Sequence, residues 1–211
     1  MHISEGVLSA PVLAGGAALA VGGLALGLRG LEAERVPRIA ILSSAFFVAS
    51  LIHLPVGPSS VHLVLKGLVG VVRGWAAFPA IFVGLLLQAV LFDFGGLTTL
   101  GVNTVVMAAP AVVCHLLVRR WVGRAWGPWA FALGFAAGAL AIVGGCVLLA
   151  GALMTTGRQF TTVALVVATA HVPVAVVEGL VTGAVVMFLR QVGPELLLGA
   201  PRKKEKAMGN A

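Results

Sequence analysis

Long apolar runs, recurring along the chain and separated by arginines or short polar loops, are the feature that most constrains the fold. Several approach or exceed the roughly 20 residues that a helix needs to cross a bilayer. Their approximate bounds are Leu8–Leu28, Ile39–Leu54, Val61–Val72, Trp75–Phe92, a fifth run ending at Val118, Trp129–Met154 and Thr161–Leu189. Because lipid offers no hydrogen-bond partners and barrel-like alternation is absent, the runs indicate helices. We predict an all-α polytopic membrane protein with about seven transmembrane helices.

Composition excludes a soluble globular domain. The chain is 60% hydrophobic and 10% charged, whereas soluble domains are about 25% charged. The net charge of +7 would indicate nucleic-acid binding in a soluble protein. Here the basic residues lie between apolar runs, where they report membrane orientation. We therefore predict a lipid bilayer as the surroundings and no nucleic-acid partner.

The distribution of basic residues predicts the orientation. With seven spans and the N-terminus outside, twelve of the fourteen Lys and Arg residues fall on the inner side. They are Arg29, Arg35, Arg38, Arg73, Arg119, Arg120, Arg124, Arg190, Arg202, Lys203, Lys204 and Lys206. Omitting the short third run as a span would mix the two sets. The positive-inside rule thus favours an external N-terminus and a cytoplasmic C-terminus in the cytoplasmic membrane.

The first two residues can bind a metal ion. No basic segment precedes the first apolar run, so we expect no cleaved signal and a retained Met1. The Met1 amine, the His2 backbone nitrogen and the His2 imidazole can close two adjacent chelate rings. A second histidine would complete four nitrogens, a set that suits Ni(II) or Cu(II), and imidazole also binds cobalt.

Other polar residues are candidates for the same site because ionisable groups at membrane depth usually serve a function. The predicted topology brings His2, His53 and His62 to the outer face, with His53 as a partner orienting a ligand or as an alternative ligand. Candidate lining residues of the cavity are Gln88, Asn103, Thr104 and Glu178. His115 lies near the inner end of its run and is not expected to join. The role of His171, two residues before a proline, stays open.

Three segments carry a family resemblance. They are the opening Met1-His-Ile-Ser-Glu-Gly-Val-Leu, the run Ile52-His-Leu-Pro-Val-Gly-Pro-Ser-Ser-Val-His-Leu-Val-Leu, and Phe94-Gly-Gly-Leu-Thr-Thr-Leu-Gly-Val-Asn-Thr. The chain resembles the CbiM/NikM family, the substrate-capturing membrane components of energy-coupling-factor transporters for cobalt and nickel. The length and the seven-span layout agree, so the resemblance covers nearly the whole chain.

The resemblance implies a ligand set and partners. The metal would be held by the Met1 amine, the His2 backbone and side-chain nitrogens, and a histidine after the second span, which maps to His62 with His53 as the alternative. The implied partners are a transmembrane coupling subunit, cytoplasmic ATPase subunits and, in some members, a small accessory membrane subunit. The transported ion would be Ni²⁺ or Co²⁺, with no cofactor of the chain's own. The lack of a Cys-Ser-His-Pro-Thr-Gly run favours nickel.

The domain prediction is one membrane-embedded metal-binding domain over residues 1–195, followed by a basic cytoplasmic tail over residues 196–211. The chain has no phosphate-binding Gly-Lys-Ser/Thr motif, so ATP hydrolysis is assigned to partner subunits and no enzymatic activity is predicted. Two other functions stay open. One is a channel or secondary transporter that uses histidines as proton relays, although no internal repeat supports it. The other is a membrane scaffold whose small-residue faces bind other helices.

Overall fold

The computed structural model describes residues 2–29, 31–51, 65–157 and 160–197, and the backbone of 53–56 and 59–62. Helices α1 (Ala10–Leu28) and α2 (Val36–Leu51) precede a hairpin of β1 (His53–Val56) and β2 (Ser59–His62). The remaining helices are α3 (Lys66–Arg73), α4 (Ala77–Phe92), α5 (Leu100–Val122), α6 (Gly127–Thr156) and α7 (Thr161–Val192). Short 3-10 turns join α1 to α2 and α3 to α4, and another follows α7.

The predicted helical membrane fold is confirmed. Among the described residues, five helical segments are long and apolar enough to cross a bilayer: Ala10–Leu28, Lys66–Phe92, Leu100–Val122, Gly127–Thr156 and Thr161–Val192. The second predicted run forms α2, whose 16 residues fall short of the usual spanning length of about 20. The number of crossings and the side on which each terminus lies remain predictions.

The third apolar run does not form the helix predicted for Val61–Val72. The chain instead forms a hairpin that ends at His62, and α3 begins only at Lys66. Two prolines and a glycine in the preceding loop oppose a helix there, and Leu65 adopts a left-handed φ of 55° just before α3. With 8 residues, α3 is about 12 Å long. It therefore covers less than half of a hydrocarbon core about 30 Å thick.

Close antiparallel packing joins α6 and α7. A Cβ added at Gly134 would lie 2.8 Å from the Gly183 Cα, and one at Gly138 would lie 2.7 Å from the Glu178 carbonyl oxygen. Small residues four apart on each helix let the two backbones approach, as is common between membrane helices. This pair forms a rigid wall beside α3.

Helix α3 packs against this wall and against α5 through its glycines. A Cβ at Gly67 would lie 2.5 Å from the Gly138 Cα, near the middle of α6, and one at Gly70 would meet the Ala111 carbonyl oxygen of α5. Both neighbours are backbone atoms, which cannot rotate away. The depth at which α3 begins is therefore fixed by helix-to-helix contact.

A Gly67→Ala substitution is expected to lower the thermal unfolding temperature in detergent, because the added methyl group must push α3 away from α6. Overpacking of this kind costs about 1–3 kcal/mol. Gly151→Ala is the control, since a Cβ at that position has nothing within 4 Å and alanine favours the helix. Equal unfolding temperatures for the two variants would contradict the close contact.

The two ends of the bundle differ in chemistry. Arg29 and Arg35 line one cavity with Arg73, and the Arg190 Nε donates to the Ala125 carbonyl oxygen over 2.9 Å. These contacts define a basic end, where α1, α3, α5 and α7 finish. The opposite end, called the polar end below, holds the N-terminal segment, since the Ser9 amide donates to the Thr156 hydroxyl at the end of α6. The grouping of the inner-side arginines agrees with the charge pattern of the sequence.

Candidate functional site

The segment before α1 is buried in the polar end of the bundle. His2 is 4% exposed and Ile3 is fully buried. Leu8, at the other end of the segment, is also buried. The contacts that bury this segment come from the start of α5 and from the loop before it.

Asn103, one turn into α5, forms hydrogen bonds with both the amide and the carbonyl group of Ile3. The Ile3 amide donates to the Asn103 Oδ1 over 2.9 Å, and the Asn103 Nδ2 donates to the Ile3 carbonyl oxygen over 3.1 Å. The amide side chain thus pairs with the N-terminal backbone as a neighbouring strand would. The Asn103 Nδ2 also lies 3.2 Å from the Thr99 Oγ1, which fixes the side-chain rotamer. Asn103 therefore positions the residue that follows His2.

The loop before α5 provides the second contact. The Thr98 amide donates to the Glu5 Oε1 over 3.0 Å, and this hydrogen bond lowers the pKa of the exposed Glu5 carboxyl below its usual value. Gly95 and Gly96 have φ values of 80° and 115°. A Cβ at Gly95 would lie 3.0 Å from the Asn103 Nδ2 and 3.4 Å from the His2 Cδ2. The two glycines allow the loop to close over His2.

The hairpin places His53 and His62 opposite each other. The strands β1 and β2 are antiparallel, and the register pairs the Cα of His53 with that of His62. Strand β2 also contacts α7. The side chains of residues 52–64 lie outside the described part of the structure, as does Met1. The register nevertheless makes His53 and His62 direct cross-strand neighbours, although nine positions separate them in sequence.

Glu178 holds the chain just after this hairpin. Its Oε2 accepts the Leu65 amide over 2.9 Å, and its Oε1 accepts the Gly67 amide over 3.3 Å. The carboxylate therefore caps the N-terminus of α3 from α7, where negative charge is favoured. Lys66 and Glu178 are both fully buried, and their opposite charges interact. Glu178 therefore fixes the position of the chain that directly follows the hairpin.

The remaining predicted polar residues have other partners. The Gln88 Nε2 donates to the Ser50 hydroxyl and joins α4 to α2. The Thr104 hydroxyl donates to the Leu100 carbonyl oxygen of its own helix over 2.7 Å. The His171 Nδ1 is bonded to the Val167 carbonyl oxygen over 2.7 Å. Of the predicted lining residues, Asn103 is thus the one with a hydrogen bond to the N-terminal segment among the described contacts.

Sequence reasoning missed Lys66, Glu5 and Thr98 as contributors to this end of the molecule. Lys66 was placed in the interior of a predicted spanning run that begins at Val61. In the structure α3 begins only at Lys66 itself, and this position buries the lysine beside Glu178. The pattern does hold one usable signal. A lone lysine and a lone glutamate within apolar runs are costly apart, so each predicts the other as a partner.

The described part of the chain holds no cluster of three His, Cys, Asp or Glu side chains that could bind a metal ion.

An Asn103→Asp substitution is expected to loosen the N-terminal segment. Aspartate keeps the acceptor for the Ile3 amide but places a second oxygen against the Ile3 carbonyl. An unmet buried hydrogen bond of this kind costs about 1–3 kcal/mol. Hydrogen–deuterium exchange should therefore speed up by about tenfold in the N-terminal peptide. Thr104→Val, which removes a bond inside α5 alone, is the control, and equal exchange in the two variants would contradict the role of Asn103.

The known proteins that this chain is similar to are named as metal transport proteins. A cobalt transport protein CbiM from Kyrpidia tusciae is 32% identical and aligns with 98% of this chain and 90% of its own length. A Haemophilus influenzae protein whose name assigns it to metal transport is 43% identical over 199 residues, which are 93% of this chain and 97% of the relative. A fused nickel transport protein NikMN from Rhodobacter capsulatus is 29% identical over 98% of this chain and 66% of its own length.

The fold agrees with a solved structure and with a family model. The crystal structure of a transition metal transporter superposes with a TM-score of 0.79 at 25% identity, over 91% of this chain and 93% of that one. The CbiM family model, described as the cobalt uptake substrate-specific transmembrane region, matches residues 2–196. The chain therefore belongs to the CbiM family of substrate-specific membrane components of cobalt and nickel transport.

Proposed function

We propose that this chain captures Ni²⁺ or Co²⁺ at the outer face of the cytoplasmic membrane as the substrate-specific component of an ATP-driven energy-coupling-factor transporter. The observation that carries the proposal is the burial of His2 at the polar end, held by the hydrogen bonds of Asn103 to Ile3. A histidine buried at membrane depth commonly serves a function.

The proposed ligands are four nitrogens. Three would come from the Met1 amine, the His2 backbone and the His2 imidazole, a set that requires the mature chain to begin at Met1. The fourth comes from His62, with His53, its register partner in the hairpin, as the residue that orients it or replaces it. A planar nitrogen set favours Ni(II), which also binds more tightly than Co(II) to a given site of this type.

Metal affinity should fall as the pH falls. The amine and the imidazoles bind metal only in their neutral forms, and the His2 backbone nitrogen must release its proton. Protons therefore compete with the metal at each of the donors. Metal bound at neutral pH outside the cell would be released more easily once the donor nitrogens move apart. The partner subunits would drive that movement.

The proposed function requires one orientation in the membrane and several partner subunits. The basic end lies in the cytoplasm by the positive-inside rule, so the polar end faces outward. A transmembrane coupling subunit and cytoplasmic ATPase subunits supply the energy, and a small accessory membrane subunit completes the assembly in some relatives. The chain itself contains no phosphate-binding loop motif.

Two measurements test the proposal. Isothermal titration of the purified chain with Ni²⁺, Co²⁺ and Mg²⁺ should give one tight site for the first two and none for Mg²⁺. Uptake of radioactive nickel by cells should require both this chain and the coupling and ATPase subunits, with an ATPase variant that lacks its catalytic glutamate as the control. Uptake that continues with the inactive ATPase would instead support a channel or a secondary transporter.

A further inference from the structure

A cavity of about 260 Å³ opens at the basic end, where α1, α2 and the turn between α3 and α4 meet. Its lining includes Arg29, Arg35, Arg73, Trp75 and His115. It lies at the opposite end of the bundle from the N-terminal segment. Neither the proposed metal ligands nor the residues that position them line it, so its chemistry needs a separate explanation.

The cavity concentrates positive charge. Three guanidinium groups line it, and Arg73 is close enough to Arg35 and Arg38 for their like charges to interact. Among the described residues that line the cavity, none is acidic. Glu32 binds the Arg35 Nε over 3.0 Å, but both side chains are more than half exposed and this pair neutralises Arg35 alone. Arg29 and Arg73 remain without a carboxylate within the described lining, so the cavity favours an anion.

Two buried nitrogen atoms in the lining have no hydrogen-bond partner among the described residues. The Arg73 Nε and the His115 Nδ1 are buried, and no other described residue forms a hydrogen bond with either. His115 is 7% exposed, and a hydrogen bond joins its imidazole to the Val71 backbone. Buried polar atoms without a hydrogen-bond partner are rare in native structures. An anion in the cavity would accept a hydrogen bond from the Arg73 Nε directly.

The surroundings of the cavity are those of a membrane surface. Trp75 in the lining is 41% exposed, and Leu26 beside it is 42% exposed. The other three tryptophans, Trp121, Trp126 and Trp129, lie near the same end and are also exposed. Tryptophan is enriched where the headgroups begin. Basic pockets between helices at the cytoplasmic surface bind anionic lipid headgroups.

We propose that this cavity binds a phosphate group, supplied by the headgroup of an anionic phospholipid of the inner leaflet. Arg29, Arg35 and Arg73 would hold the phosphate oxygens, while Leu26 and Trp75 contact the start of the acyl chains. Because Arg29 directly follows α1 and Arg73 is the last residue of α3, one bound headgroup would join the ends of both helices to the start of α2. The assignment to the inner leaflet rests on the proposed orientation, whereas phosphate binding in the cavity depends neither on the orientation nor on the metal.

The test is lipid binding by the full-length chain in nanodiscs and detergent. Short-chain phosphatidylglycerol and phosphatidylcholine are titrated against the purified protein, and retained lipid is counted by native mass spectrometry. Each arginine near a membrane surface contributes about fivefold in affinity, so the double variant R29Q/R73Q should bind phosphatidylglycerol at least about tenfold more weakly. R120Q removes an exposed arginine of the same end that does not line the cavity, and it should bind within about twofold of the wild type.

Inorganic phosphate forms the second arm and identifies the source of the anion. Selective phosphatidylglycerol binding that is lost in R29Q/R73Q but kept in R120Q supports the lipid headgroup. Equally tight binding of inorganic phosphate with the same arginine dependence supports the phosphate site but assigns it to a soluble anion. Equal losses in R120Q and R29Q/R73Q, or binding of neither probe to the wild type, would overturn the proposal, the second result pointing to an acidic protein partner. Circular dichroism of each variant checks that the fold is kept.

Discussion

A His2→Ala variant is expected to lose stoichiometric nickel binding while keeping the fold. The substitution removes one of four proposed nitrogen donors and opens one of two chelate rings, so the remaining donors bind as weaker, separate ligands. Loss of an outer-shell partner alone typically costs 10–100-fold in metal affinity, and loss of a ligand should cost more than that. Isothermal titration of the purified variant with Ni²⁺ measures the change, and the thermal unfolding temperature without metal verifies the fold.

Two companions sharpen this experiment. Ser4→Ala changes an exposed side chain two residues along in the same segment, and it should bind nickel as the wild type does. Acetylation of the Met1 amine keeps every side chain but converts the free amine into an amide. The acetylated chain should also bind nickel more weakly, because an amide nitrogen releases its proton far less readily than an amine does. Unchanged nickel affinity in both His2→Ala and the acetylated chain would exclude the N-terminal site.

Much of the fold follows from the sequence because the bilayer leaves few choices. Apolar runs of spanning length must be helices, and the arginines that the charge pattern assigned to one side do meet in the structure, as the cavity lined by Arg29, Arg35 and Arg73 demonstrates. The hairpin escaped prediction for a physical reason. Val61 and His62 belong to β2 but continue in sequence into the apolar Leu63-Val-Leu65. Such a short apolar run does not distinguish a helix from a buried strand.

The site was predictable in its residues but not in its connections. Asn103 and Glu178 stood out as polar groups at membrane depth, yet their partners lie 100 and 113 positions away. An asparagine amide can serve any backbone segment and a carboxylate any helix N-terminus, so neither residue type identifies its partner. Met1 and the side chains of His53 and His62 lie outside the described residues, and their roles as ligands remain predictions.

Different elements hold the N-terminal segment and the chain that follows the hairpin. Asn103 and the loop that contains Thr98 act on residues 3 and 5, whereas Glu178 acts on the chain three residues after His62. The two proposed sources of metal nitrogens are thus anchored by different helices, α5 and α7. A relative movement of α5 and α7 would change the distance between the donors without breaking either anchor. That arrangement suits a site that must release its ion.

A Glu178→Gln substitution is expected to destabilise the protein strongly. Glutamine retains one acceptor oxygen for the amides of Leu65 and Gly67, but it removes the negative charge that interacts with the fully buried Lys66. Breaking a buried charge pair from one side costs about 3–5 kcal/mol. The thermal unfolding temperature in detergent should fall accordingly, and Gln88→Glu would not compensate because Gln88 binds Ser50 on α2 instead.

The double variant Lys66→Met, Glu178→Gln separates charge from position. Removing both charges leaves no uncompensated ion in the interior, so the double variant should recover most of the unfolding temperature. Its nickel affinity should stay below that of the wild type, because a single glutamine oxygen cannot hold both amides that fix the end of the hairpin. A double variant with full stability and full affinity would confine Glu178 to charge balance. A double variant as unstable as Glu178→Gln alone would contradict the coupling of Glu178 with Lys66.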